Sequence, residues 1–109
     1  MIQATILYNR EGAPVGFAVK SHGDPVVCSA VSMLTLNTVN SIAKLTSLSE
    51  NDFYCQWDEA GGFLLFALKR SSQRNTGAGL LLDALVLGLS DVSRQYPRDI
   101  KFDSKPISG

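Results

Sequence analysis

The stretch Asp24-Pro25-Val26-Val27-Cys28-Ser29-Ala30-Val31 has the features of a helix start. Aspartate is a favoured N-cap because its carboxylate accepts hydrogen bonds from free backbone N–H groups. Proline suits the first helical position, where no N–H donor is needed. Beyond it, a largely apolar stripe recurs every three or four positions, which predicts a helix long enough to cover a sheet. The stripe consists of Val27, Val31, Leu34, Thr38, Ile42 and Leu45.

A pair of β-strands is predicted on each side of this helix. Before it, apolar residues recur at alternate positions in Ile2–Tyr8 and Val15–Ser21, and the turn-forming residues 9–12 indicate a hairpin. After it, Phe53–Asp58 and the apolar run Phe63–Lys69 flank the turn sequence Glu59-Ala60-Gly61-Gly62. The chain therefore predicts two hairpins, each followed by a helix.

A second helix and a last short strand complete the pattern. The helix is indicated by an apolar stripe that ends before Pro97, and the strand by residues 100–102, with a loose tail after Asp103. This order predicts an α+β fold in which one domain spans residues 1–109 and both helices lie on one face of a mostly antiparallel sheet. The stripe consists of Leu82, Leu85, Leu89, Val92 and Tyr96.

The composition excludes several classes of protein. The 109 residues are 45% hydrophobic and 18% charged, which is ordinary globular usage. The formal net charge is zero, so direct nucleic-acid binding is not expected. The nearest approach to a basic cluster, Lys69, Arg70 and Arg74, is interpreted as part of a solvated loop.

Cysteine content and hydropathy point to the cytoplasm. Two cysteines are too few for a disulfide framework, and Met1 leads directly into a strand rather than a signal peptide. No apolar run reaches the length needed to span a bilayer, so no membrane partner is expected. Thiols stay reduced in the cytoplasm, and each cysteine is then core filler, a ligand or a nucleophile.

His22 and Cys28 are the candidate reactive residues. His22 is the single histidine and follows the second strand, whereas Cys28 lies in the first turn of the helix if Asp24 is its N-cap. The positive end of the helix dipole favours a thiolate, and a neighbouring imidazole can take the thiol proton. A small buried cysteine and a histidine in a turn would give the same pattern, so spacing alone leaves both interpretations open.

The surrounding sequence resembles a known family. Ser21-His22-Gly23 followed by Asp24-Pro25-Val26-Val27-Cys28-Ser29-Ala30-Val31-Ser32 is similar to the signature of the ribosomal-processing cysteine proteases, a Gly-His pair, a loop and Asp-Ile-Val-Cys-Ala-Ala-Val-Ser. The run Thr35–Ile42 and the Gly61-Gly62 pair resemble its continuation. The chain departs from the pattern in three places: Ser21 replaces Gly, Pro25 replaces Asp with Asp24 one position earlier, and the segment between His22 and Cys28 is shorter.

The resemblance implies a Cys–His dyad. Cys28 would be the nucleophile and His22 the general base and proton donor, with Ser32 and Asp24 in supporting positions and backbone N–H groups near Cys28 holding the oxyanion. Family members remove a short hydrophobic N-terminal extension from a large-subunit ribosomal protein precursor and form homodimers. No cofactor or metal is implied. The alternative is a non-catalytic, ribosome-associated binding module on the same fold, suggested by the short loop and the displaced Asp.

Three other features have a simpler structural interpretation. Cys55 alternates with Phe53 and Trp57, so it is predicted to fill the core or a sheet face. Asn75-Thr76-Gly77-Ala78-Gly79 lacks the Lys and Ser/Thr of a phosphate loop and is interpreted as a helix start. Trp57 and Phe63 are expected to meet across the second hairpin, as core or as part of a substrate groove or dimer face.

Overall fold

The computed structural model describes residues 1–58, 60 and 62–107. Its elements follow the predicted order, and two short 3₁₀ helices, Glu50–Asp52 and Arg70–Ser72, lie in the connections. Glu59 and Gly61, two residues of the predicted second turn, lie outside the described residues. The main elements are β1 (Ile2–Tyr8), β2 (Pro14–Lys20), α1 (Pro25–Leu45), β3 (Phe53–Asp58), β4 (Phe63–Leu68), α2 (Thr76–Gln95) and β5 (Ile100–Pro106).

The five strands form one sheet in the order β3-β4-β2-β1-β5. All neighbouring strands are antiparallel except β1 and β5, which run parallel. The two helices pack against each other over one face of this sheet. The structure therefore confirms the predicted α+β class, with a mostly antiparallel sheet and a single helical layer.

The core lies between the sheet and the helices and is centred on β4. The ring of Phe66 is fully buried and packs between Phe17 of β2 and Phe53 of β3, at centroid distances of 5.6 and 5.0 Å. Aromatic pairs at this spacing stabilise a core beyond the area they bury. Strand β4 is thus the structural link between the two hairpins.

Both helices begin where the sequence predicts. Asp24 Oδ1 accepts hydrogen bonds from Val26 N at 2.9 Å and Val27 N at 3.3 Å, and Pro25 occupies the first helical position. Asn75 Oδ1 caps α2 by accepting from Ala78 N at 2.9 Å. Each such cap contributes about 1 kcal/mol to stability. The segment that starts at Asn75 is therefore a helix start, as interpreted from its composition.

The buried stripe of α1 differs from the predicted stripe in the middle of the helix and at its last residue. Thr35 is buried, because its hydroxyl donates to Val31 O at 2.9 Å and so satisfies its polar group inside the helix. Leu34 is only half-buried, and Leu45 is 76% exposed. The prediction that Leu45 belongs to the core is wrong, because the last residue of α1 extends beyond the sheet.

The C-terminal segment is more regular than expected. The sequence predicts a loose tail after Asp103, but β5 continues to Pro106 because each of its residues pairs in parallel with β1, from Ile2 opposite Ile100 to Tyr8 opposite Pro106. A parallel neighbour far away in sequence leaves no local turn signal. The prediction of a short strand with a free tail is therefore wrong.

By length and composition, both helices could span a membrane, which differs from the expectation from the sequence. Each nevertheless packs one face onto the sheet, with Val31 and Ile42 of α1 and Leu82 and Leu89 of α2 buried. A helix that serves as the core layer of a folded domain passes the same test of length and hydropathy.

Candidate active site

The predicted pair, His22 and Cys28, lines one cleft at the edge where β2 meets α1. The cleft has a volume of about 330 Å³, and Ser32 lines it one turn after Cys28. Cys28 is half-buried, whereas His22 and Ser32 are exposed. The fold therefore brings a thiol, an imidazole and a hydroxyl together on a surface that a peptide can reach.

A sharp change of direction at the end of β2 delivers His22 to this cleft. Ser21 follows the strand and has φ of 75°, the left-handed conformation that glycine adopts most readily. This is the position at which the resembling family has Gly. The N-terminal ammonium of Met1 then donates to His22 O at 3.2 Å, which ties the new chain direction to β1.

The imidazole of His22 lies on the turn between β3 and β4. His22 Nε2 is 3.5 Å from Ala60 O, and the ring rests against Gly62, where φ is 64°. A Cβ at Gly62 would lie only 2.6 Å from Nε2. Ala60 and Gly62 thus lie against the ring, and at position 62 only a residue without a side chain leaves room for it.

The first turn of α1 surrounds Cys28 with N–H groups that already have partners. Asp24 Oδ1 accepts from Val26 N and Val27 N, and Asp24 O accepts from Cys28 N at 2.8 Å. The expectation that backbone N–H groups near Cys28 hold an oxyanion is therefore not met for these three groups. Asp24 thus caps the helix turn that carries Cys28.

The cleft has mainly apolar walls drawn from the sheet and from α1. Trp57 pairs with Leu64 and Asp58 with Phe63, so strand alternation places Trp57 and Phe63 on opposite faces. The expected contact of Trp57 with Phe63 across the hairpin therefore fails on register, although both residues line the cleft. Its apolar aliphatic and aromatic lining residues are Ile2, Val19, Val31, Leu36, Trp57, Phe63 and Leu64.

A second, shallower depression adjoins the first and shares its reactive residues. His22, Cys28 and Ser32 line both, and Ser29 and Met33 on the outer side of α1 line only the second. Cys28 is therefore at the junction of an apolar cleft and a more open surface. An extended peptide that crosses this junction can contact both depressions.

Cys55 is separate from this arrangement. It pairs with Phe66 on the core-facing side of β3, but β3 is the edge strand and Cys55 is exposed. The prediction of a core position is therefore wrong, whereas a sheet-face position is correct. Partial burial raises the pKa of the Cys55 thiol, so less thiolate forms at neutral pH.

Within the described ranges, no three His, Cys, Asp or Glu side chains gather as a potential metal site. The residues that the sequence did not indicate are Ala60, whose carbonyl oxygen lies near His22 Nε2, and Gly62, which supports the imidazole. Trp57 and Phe63, in contrast, were named as part of a substrate groove, and both line the cleft. The Gly61-Gly62 pair was a usable signal, because a glycine that tolerates no Cβ often marks a close approach.

A cysteine in the first turn of a helix that shares a cleft with an imidazole is the arrangement found in cysteine hydrolases. Comparison of the whole sequence with protein families identifies which cysteine hydrolases this chain resembles. The family model described as cysteine protease Prp matches residues 1–101, and the chain belongs to that family.

Solved structures support the same placement. The essential ribosomal processing protease Prp from Staphylococcus aureus, in complex with a covalently linked product peptide, matches with a TM-score of 0.85 and 26% identity over 96% of this chain and 100% of that chain. The SMU.848 protein from Streptococcus mutans matches with a TM-score of 0.85 and 25% identity over 98% of this chain and 96% of that chain. A search of curated proteins gives no match.

Proposed function

We propose that this chain is a cysteine endopeptidase that removes a short hydrophobic N-terminal extension from a large-subunit ribosomal protein precursor. Membership of the Prp family supports the protease class. The observation that carries the proposal to particular residues is that Cys28 and His22 line the same cleft at the start of α1. Cys28 is the nucleophile and His22 the general base and proton donor.

The reaction proceeds by acyl transfer. His22 takes the proton from Cys28 Sγ, and the thiolate attacks the scissile carbonyl carbon. The resulting tetrahedral species collapses as the C–N bond breaks, and the imidazolium gives its proton to the leaving amine. A water molecule, deprotonated by His22, then attacks the thioester and releases the new carboxylate and the free thiol.

The apolar cleft is suited to the hydrophobic part of such an extension. Its walls include Trp57, Phe63 and Leu64, and Trp57 is 63% exposed without substrate. Burying one aromatic side chain removes roughly 150–250 Å² from water. At about 25 cal/mol per Å² this supplies on the order of 4–6 kcal/mol before the costs of binding.

We further propose that the protein acts as a homodimer in the cytoplasm, where nascent ribosomal proteins are present and thiols stay reduced. The homodimer rests on the family resemblance, whereas the cytoplasm rests on the cysteine content and hydropathy of the sequence. Size-exclusion chromatography with light scattering tests the first part: twice the mass of one chain is expected, and a monomer at micromolar concentration contradicts it.

A non-catalytic binding module is the second candidate function. The observation in its favour is that the N–H groups of Val26, Val27 and Cys28 are already bonded to Asp24, which leaves these donors occupied before any oxyanion forms. In this case the cleft would bind the hydrophobic extension without cleaving it.

Incubating the purified chain with a peptide that covers the N-terminal extension of its own organism's ribosomal precursor separates the two functions. Mass spectrometry should show cleavage at one bond by the wild type. Cys28→Ser should reduce kcat/KM on the order of 10³-fold or more, whereas the matched control Cys55→Ser should change it by less than about twofold. Cleavage by Cys28→Ser at the wild-type rate overturns the nucleophile assignment, and binding without cleavage by the wild type favours the binding module.

A further inference from the structure

The turn between β3 and β4 makes a close and specific contact with the imidazole of His22. A Cβ at Gly62 would lie 2.6 Å from Nε2, 2.8 Å from Cε1 and 2.9 Å from Cδ2. Real Cβ atoms do not approach ring atoms this closely, so no other amino acid fits there without moving the ring. Because the three distances are nearly equal, the Cβ would lie above the plane of the ring close to Nε2, and the face of the imidazole at its Nε2 end therefore rests on Gly62.

The nitrogen Nε2 also has a hydrogen-bond acceptor beside it. Ala60 O lies 3.5 Å from His22 Nε2, at the long end of the hydrogen-bond range. A carbonyl oxygen can only accept, so the contact is attractive when Nε2 carries the proton. Hydrogen bonds of catalytic groups are often long without substrate and shorten in the complex.

This contact selects between the two forms of the neutral ring. A neutral imidazole has one N–H and one lone pair, and the group bonded to one nitrogen decides the role of the other. With Nε2–H directed to Ala60 O, the lone pair is on Nδ1. Nδ1 is then the nitrogen available to take a proton inside the cleft that Cys28 also lines.

We propose that two residues of the β3–β4 turn, Ala60 and Gly62, orient the imidazole of His22. The backbone carbonyl of Ala60 holds His22 in the Nε2–H form, and Gly62 leaves the space that the ring occupies. Nδ1 then acts as the base toward Cys28. In serine and cysteine proteases this orienting task commonly belongs to an Asp or Asn side chain. Here the backbone performs it. Gly62 is a positioning residue, because it acts through His22. Only the catalytic role of His22 in this inference rests on the proposed function; the orientation of the ring does not.

The chain offers a matched pair of glycines for the test. Gly12 in the first hairpin also has a positive φ, 80°, but a Cβ there meets nothing within 4 Å. Gly62→Ala and Gly12→Ala therefore carry the same kind of backbone strain. Only Gly62→Ala also displaces the imidazole.

Nitrogen NMR of the histidine ring provides a readout that does not depend on peptidase activity. His22 is the single histidine, so its ring signals need no assignment by mutation. We expect the neutral ring of the wild type and of Gly12→Ala to be mainly the Nε2–H form. Gly62→Ala should shift the population toward the Nδ1–H form, because the ring loses its place beside Ala60 O.

Peptide cleavage then tests the catalytic consequence. Gly62→Ala should lower kcat/KM roughly 100-fold, the effect of displacing a reacting group by about 1 Å, while Gly12→Ala should stay within about twofold of wild type. A wild-type ring that is mainly Nδ1–H, or equal kcat/KM for the two variants, overturns the proposal. If the wild type cleaves nothing, the proposed function fails, and the NMR result still decides how the ring is oriented. If Gly62→Ala does not fold, a wild-type ring with no larger excess of the Nε2–H form than free histidine has in water also overturns the proposal.

Discussion

The two hairpin turns each contain a glycine with positive φ, but their polar groups have different partners. In the first turn, Asn9 N donates to Ala13 O, and Asn9 Oδ1 accepts from Glu11 N and Ala13 N, so the turn's polar groups bond to one another. In the second turn, Ala60 O and the open space at Gly62 are directed at His22. Both turns need a glycine with positive φ, but only in the second turn does a neighbouring side chain, the imidazole of His22, also leave no room for a Cβ.

This difference teaches that a glycine's conformation and its surroundings are separate constraints. Gly12 is needed for its φ alone, whereas Gly62 is needed both for its φ and for the imidazole beside it. A third glycine, Gly16 in β2, has an ordinary φ but close neighbours. Substitutions at and around the first hairpin can therefore test each constraint by itself.

Gly16→Ala isolates the steric constraint and should have the largest effect on stability. Its Cβ would lie 2.3 Å from Phe66 O and 2.9 Å from Ala67 Cα, which are backbone atoms of the neighbouring strand and cannot rotate away. We expect a loss of about 3 kcal/mol in the free energy of unfolding, measured by urea denaturation. If Gly16→Ala lost less free energy of unfolding than Gly12→Ala, then β2 and β4 can move apart without cost. The steric constraint at Gly16 would then not be separate from the conformational one.

Asn9→Ala breaks the internal bonding of the first turn and should have an intermediate effect. Two N–H groups, of Glu11 and Ala13, lose their acceptor, which should cost about 1–2 kcal/mol in the free energy of unfolding. None of the described residues that line the cleft belongs to this turn, so kcat/KM should stay within about twofold of wild type. Asn9→Asp keeps the acceptor and serves as the control. A large loss of kcat/KM in folded Asn9→Ala would mean that the two hairpins are not independent.

Ser21→Gly tests the conformational constraint beside the site and should have the smallest effect. Ser21 holds φ of 75° without being glycine, so removing its Cβ should relieve strain and stabilise the fold by about 0.5–1 kcal/mol. Ser21→Ala keeps the strain and should show no gain. Thermal unfolding followed by circular dichroism measures the difference, and a destabilised Ser21→Gly would contradict the strain argument.

Local signals in the sequence predict most of the fold, and contacts between distant segments account for the errors. Asp24-Pro25 and Asn75 each identify a helix start because an N-cap is a local interaction. The full extent of β5 was missed, because its partner β1 lies at the other end of the chain. The exposure of Cys55 was missed for a similar reason: alternation gives the face of a strand, but not its position at the edge of the sheet.

The sequence also predicts the residues of the site that are close together in the chain, but not those that come from distant segments. His22, Cys28 and Ser32 were found because they are close in sequence and match a family pattern, and they line one cleft. The contacts of His22 with Ala60 and Gly62 were not predicted, because they join residues that follow one hairpin to residues in the turn of the other. Ser21 was noted as a departure from the family pattern, and its positive φ explains why glycine is favoured there.

The pairing of the first strand with the last has a consequence for the timing of folding during synthesis. Ile2 is a wall of the cleft, and its N–H donates to Asp99 O at 3.0 Å, while Thr5 Oγ1 donates to Asp103 Oδ1 at 2.7 Å. The edge of β1 that β5 covers stays open until these late residues have been translated. A nascent chain can form both hairpins and α1 earlier, but it cannot complete the sheet behind its cleft. Competence for catalysis would thus be among the last properties that the growing chain acquires.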